Sequence, residues 1–98
     1  MRAAVRDLAG LGPIPSEDAD DTPLERWEAA LMAVDKPVTN EEATTLARLF
    51  PPDGGFGLGF TLLHAVETSP DWGAPLAEQI NEPEWRERAL RRIRNKVD

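Results

Sequence analysis

Residues 22–52 read TPLERWEAALMAVDKPVTNEEATTLARLFPP, and this stretch decides the fold class. Thr22 and Glu25 stand at capping-box spacing, so each can satisfy an orphan backbone donor in the first turn of a helix. Pro23 suits the first helical position, where its missing N–H costs nothing. Leu24, Trp27, Leu31 and Val34 then recur at i, i+3, i+7 and i+10, which is one helical face. The helix must end before Lys36-Pro37, because the residue preceding proline disfavours the α region. Thr39 and Glu42 repeat the capping box, Ala43, Leu46, Ala47 and Phe50 repeat the apolar stripe, and Pro51-Pro52 stops it. Two capped amphipathic helices with a short link predict an αα-hairpin.

Working outward from that hairpin, Asp53-Gly54-Gly55 predicts a turn, with Asp53 as N-cap of the next helix. That helix is predicted from about Phe56 to Thr68. Phe56, Leu58, Phe60, Leu62, Leu63, Ala65 and Val66 cover most of its circumference, as expected of a central, buried helix. Only the strip Gly57, Thr61, His64 and Thr68 is small or polar. Ser69-Pro70 breaks the helix, and a short one is predicted from Pro75 to Ile80. Asn81 and Glu84 form a third capping-box pair for a last helix reaching about Asn95, with Trp85, Ala89, Ile93 and Val97 on one face and Leu90 at its edge. Upstream, residues 2–9 predict a short helix with Ala4, Val5 and Leu8 on one side, stopped by Gly10, Gly12 and Pro13. Residues 13–22, PIPSEDADDT, read as a loop or linker. No segment alternates with the period of a half-buried strand. The expectation is an all-α, compact four- to five-helix bundle with a central apolar helix. It is a single domain over residues 1–98, in which 1–21 is poorly structured or carries a short N-terminal helix.

Ninety-eight residues suit one core, and 41% hydrophobic against 30% charged is a globular balance. With no cysteine there is no disulfide framework, no thiolate nucleophile and no cysteine zinc site. The longest nearly continuous apolar run, Phe56 to Val66, falls short of the roughly 20 residues that a bilayer requires. Arg2 and Arg6 are followed by Asp7 and two glycines, which does not read as a signal peptide. A soluble, cytoplasmic protein without a membrane partner is expected. The net charge is −7. Residues 1–82 carry 15 acids against 5 bases, whereas residues 83–98 carry 3 against 6. The field of such a chain repels phosphate, which argues against nucleic acid as a partner.

Several patterns resemble chemistry, and each has a plainer explanation. His64 and Glu67 have the spacing of two metal ligands on one helix, but a site needs more, and Asp53 and Asp71 lie at opposite helix ends. A histidine hydrogen-bonded to a neighbouring element is the simpler expectation. Ser69, His64 and Asp71 spell a triad, yet no nucleophile elbow is present. Asp53 to Gly59, DGGFGLG, is as glycine-rich as a phosphate loop, but no Lys or Arg occurs between Arg48 and Arg86 and no strand precedes it. Close packing at Gly57 and Gly59 accounts for it. The basic C-terminal stretch, with Arg86, Arg88, Arg91, Arg92, Arg94 and Lys96, suggests an anion-binding helix. Glu84–Arg88 and Glu87–Arg91 are instead favourable i, i+4 pairs, and terminal bases complement the helix dipole. The acidic stretch is less well balanced: Glu17, Asp18, Asp20, Asp21, Glu25 and Glu28 have only Arg26 against them. They are either a solvated loop or a patch that steers a basic partner.

The stretch 49–72, LFPPDGGFGLGFTLLHAVETSPDW, resembles a segment of small acidic helical bacterial proteins encoded near polymorphic toxins, of the immunity or accessory kind. Asp53 before Phe56-Gly57-Leu58, then Thr61-Leu62-Leu63-His64, Glu67 and Ser69-Pro70 carry the likeness, with Asn81-Glu82 and Trp85 adding to it. The pattern has a small residue and a tryptophan where this chain has Gly59 and Phe60. The resemblance covers about a third of the chain and implies no catalysis and no particular residue roles. The expected function is therefore non-catalytic protein binding, with no cofactor, no metal and a protein partner, which a basic surface would suit. Glu17, Asp18, Asp20, Asp21, Glu25 and Glu28 are its candidate contact residues. The alternatives are a ligand- or metal-binding domain or an orphan enzyme using the strip Gly57, Thr61, His64 and Thr68, and a purely structural oligomer.

Overall fold

The Thr39–Glu42 capping box forms as its spacing predicts. In the computed structural model, which describes residues 1–18 and 24–95, the Thr39 hydroxyl accepts from the Glu42 N–H at 3.0 Å and the Glu42 carboxylate accepts from the Thr39 N–H at 2.9 Å. This box opens a helix over Asn40–Leu46, which tightens into a 3-10 turn at Ala47–Leu49. All four residues of its stripe, Ala43, Leu46, Ala47 and Phe50, are buried. The preceding helix spans Leu24–Met32, burying Leu31, with Val34 buried just beyond it and Leu24 and Trp27 packed at the edge of the core. The Thr22–Glu25 box lies outside the described residues.

Before the hairpin comes α1, Ala3–Leu11, so the hairpin helices are α2 and α3. Of the two expectations for the N-terminal stretch, the helix is the one present. It runs through Gly10 and ends at Gly12, whose N–H makes the last helical bond to the Leu8 carbonyl and whose φ of +85° then turns the chain out of the helix. Val5 and Leu8 are fully buried. Ile14, in the stretch read as a linker, is only 2% exposed and donates its N–H to the Leu49 carbonyl at 2.9 Å. A single anchoring side chain has no period, so periodicity alone passes over it. Trp27 closes the corner by donating its indole N–H to the Gly12 carbonyl at 3.0 Å.

Arg2 fastens the start of α1 to the start of α3. Its guanidinium meets the Glu42 carboxylate through two bonds, Nη2 at 2.7 Å and Nε at 2.9 Å, and its backbone N–H adds a third at 3.2 Å. The same guanidinium reaches the carbonyls of Asp35 and Pro37 in the hairpin link. Glu42 is thereby buried without an unsatisfied oxygen.

The next helix, α4, spans Leu58–Val66 and starts later than predicted. Gly55, Phe56 and Gly57 all have positive φ, of 56°, 56° and 86°, and form a left-handed turn that a right-handed helix cannot include. Leu58, Gly59, Leu62, Leu63, Ala65 and Val66 are buried and His64, on the predicted polar strip, is exposed; Phe60, counted with the apolar cover, is exposed as well, so the open side of α4 is wider than predicted. A one-turn α5, Ala74–Ala77, and α6, Pro83–Asn95, complete the chain. Asn81 does not cap α6. Its side chain instead pairs with the backbone of Phe50, accepting from the N–H at 2.9 Å and donating to the carbonyl at 3.0 Å.

The described residues hold six α-helices and no strand, the one-turn α5 lying where a short helix from Pro75 to Ile80 is predicted. α1 packs on α2 and α3, and α4 on α2 and α3. The radius of gyration, 12.7 Å, is that of a compact domain, for which about 13 Å is usual at 100 residues. No described helix is long and apolar enough to cross a membrane.

Candidate functional site

Asp53 organises a polar cluster that joins three parts of the fold. One carboxylate oxygen accepts from the Gly55 N–H at 2.9 Å, an Asx turn that starts the left-handed segment. The other accepts from the Ser16 hydroxyl and the Glu17 N–H, both at 2.9 Å. These donors, the Gly55 N–H foremost, hold the Asp53 carboxyl below its ordinary range. Its backbone carbonyl accepts from the Trp85 indole N–H at 2.9 Å. Glu17 returns the contact by accepting the Phe56 N–H at 2.9 Å. The strap at residues 16–17, the glycine-rich loop and α6 are thus tied at one point.

This framework displays aromatic surface. Phe56 is 59% exposed and Phe60, one turn later, is 43% exposed. The Phe60 ring stands edge-on to Trp85, centroids 5.0 Å apart at 79°, and Trp85 also packs 5.4 Å from the buried Phe50. The Arg88 guanidinium lies 4.9 Å from the Phe60 centroid and 5.1 Å from that of Trp85. Gly59 makes this approach possible: a Cβ there would run into the Trp85 ring. Close packing was expected at Gly57 and Gly59, and the two differ. Gly59 admits an indole, whereas at Gly57 a Cβ would meet open space and the positive φ is what favours glycine.

The acidic candidates are not equivalent. Glu17 is exposed but committed to the Phe56 N–H, so it is more than a solvated charge. Asp18 is exposed, with its N–H on the Ser16 hydroxyl. Glu25 and Glu28 are exposed on α2. Asp20 and Asp21 lie outside the described residues.

The small-polar strip does not run as one continuous surface. Gly57 belongs to the left-handed turn, and Thr68 lies beyond α4, where its hydroxyl donates to the Ala65 carbonyl and accepts from the Val38 N–H. Only Thr61 and His64 sit within the helix. His64 is exposed, and its imidazole makes no hydrogen bond among the described residues, so the side-chain partner expected for it is not found there. Glu67 turns away from it to hold Arg92 through two bonds, at 2.6 and 3.0 Å. Ser69 is buried with its hydroxyl on the Val66 carbonyl, and Asp71 pairs with Asn40. No three His, Asp or Glu side chains among the described residues converge as metal ligands would.

The basic residues of α6 have varied partners. Glu87 draws both Arg91, at 3.9 Å, and Arg94, at 3.4 Å. Arg86 donates to the Ile80 carbonyl, and Arg88 lies over the aromatic rings, with no bridge to Glu84. Lys96 and Val97 are outside the described residues. A separate open groove of about 630 Å³ runs between α1 and α2, with Arg6, Asp7 and Arg26 on its sides and Ala30 and Ala33 along it.

The sequence reading missed Arg2, the Asp53 cluster and the exposure of Phe56 and Phe60. The glycines on both sides of Phe56 are the signal that points to the last, since such density marks a turn rather than a helix. Compared with protein-family models, curated proteins and solved structures, the chain matches none of them.

Proposed function

We propose that this chain is a non-catalytic protein-binding module, of the immunity or accessory-subunit kind, acting in a bacterial cytoplasm on a basic partner. The observation that carries the reading is the juxtaposition of Phe56 with Glu17, an exposed aromatic residue bonded through its backbone to an exposed carboxylate. Aromatic residues are enriched at the energetic centres of protein interfaces, and charged neighbours steer the encounter. The frame beneath is a bundle of the five longer helices, with α4 as its central element. α4 meets α2 and α3 directly, and Trp85 of α6 is fitted against Gly59.

On this reading the acids act first on the rate of association. Neutralising Asp18, Asp20 and Asp21 together slows binding to the partner recovered from the native host several-fold at low salt. The difference shrinks as salt screens the charges. Stopped-flow association at two salt concentrations measures both effects. An on-rate indifferent to the triple substitution and to salt sinks the reading.

A further inference from the structure

Phe56 combines three properties that core packing does not explain. Its backbone is left-handed, at φ 56° and ψ 35°, a conformation that bulky side chains rarely adopt and glycine adopts freely. It is the only non-glycine with positive φ among the described residues. Its side chain is mostly in water. Glycines occupy the positions on both sides, so glycine at 56 would relieve the strain with little packing to lose. Strain of this kind, where the fold holds it in place, is a pointer to function.

The charge around the ring indicates the occupant. At Phe60, the molecule's own Arg88 already lies over the rings of Phe60 and Trp85. At Phe56 the backbone N–H is bonded to the carboxylate of exposed Glu17, which is followed in the chain by exposed Asp18. The chain from Leu49 to Trp85 carries no Lys or Arg. An exposed aromatic ring on a residue whose backbone holds a carboxylate suits a guanidinium, which stacks through its plane and pairs through its N–H groups.

Resting on the protein-binding reading above, we propose that Phe56 anchors the partner surface by receiving an arginine side chain of the partner, ring against guanidinium, with Glu17 meeting its charge. The left-handed turn then serves to hold the ring away from the core and toward that arginine.

The test uses the full chain and a hexa-arginine peptide as probe, with hexalysine as the charge-matched control, read by amide NMR shifts and thermal melting. Hexa-arginine is expected to bind more tightly than hexalysine and to shift the amides of Glu17, Gly55, Phe56 and Phe60. Phe56→Gly should leave the melting temperature unchanged or raise it, yet weaken hexa-arginine binding about three- to fivefold. Glu17→Gln, which keeps an acceptor for the Phe56 N–H, should weaken it by a similar factor at low salt. Wild-type affinity in Phe56→Gly would overturn the proposal, as would a melting temperature lowered by several degrees, which would make Phe56 a structural residue. Neither result touches the acidic-flank reading, which fails separately if the Asp18, Asp20 and Asp21 triple variant and salt leave the partner's on-rate unchanged.

Discussion

The Glu42 carboxylate accepts four hydrogen bonds, three from Arg2 and one from the Thr39 N–H. The Arg2 guanidinium foremost, with these backbone donors, lowers its pKa from 4.5 to about 2, against the opposing effect of burial. Because the folded pKa is the depressed one, the stabilisation is fully present above pH 4.5 and is lost as pH falls from there toward 2. Denaturant unfolding at pH 6, 4 and 3 should therefore show stability falling with acidification, and Glu42→Ala should flatten part of that fall. The substitution removes a helix cap and strands Arg2, so a loss of about 2–4 kcal/mol at neutral pH is expected. If Glu42→Ala is neutral at pH 7, the Arg2 clamp contributes nothing to the fold.

At the scale of elements, the contact between α4 and α6 depends on one missing methyl group. In an exposed helix interior, glycine to alanine is stabilising by about 1 kcal/mol. Here Gly59→Ala is expected to be destabilising, by about 1–3 kcal/mol, because its Cβ meets the Trp85 ring, which Phe50 and the Asp53 carbonyl already hold in place. Denaturant midpoints of the two proteins measure this directly, and a stabilised variant would mean that Trp85 has room to move. The same elements show what a sequence can disclose. α3 was legible because its capping box and its stripe are local, within one or two turns of each other. The Arg2–Glu42 clamp spans 40 positions and the Asn81–Phe50 pairing 31, and no periodicity encodes partners so distant. Asn81 also has a residue type and spacing that favour capping, so its tertiary bond to Phe50 overrides a local preference. The predicted α4 starts too early because Phe56 counts toward its apolar face, and is too apolar because Phe60 does. The left-handed glycine turn displaces the first of these from the helix, and the second lies on its open side.

Across the whole molecule, charge is sorted along the chain. The acids gather in residues 1–82 and the bases in residues 83–98, but the bases of α6 are largely absorbed by Glu67, Glu87 and the aromatic rings. The uncommitted charge is therefore mainly negative, and exposed Phe56 is tied through its backbone to Glu17 within the acidic stretch. Only one of these two halves was visible in the sequence. The acidic excess was, since composition is enough to find it. The aromatic surface was not, since hydrophobic residues are assigned to the core until a backbone turns them out. The measurement that bears most directly on a binding face at this place is amide hydrogen exchange on the chain alone and with the partner recovered from the native host. Binding is expected to slow exchange at residues 17–18 and 55–60 while leaving the groove between α1 and α2 unchanged. Protection confined to that groove, or to the exposed residues around His64 with none at the Phe56 turn, would contradict it.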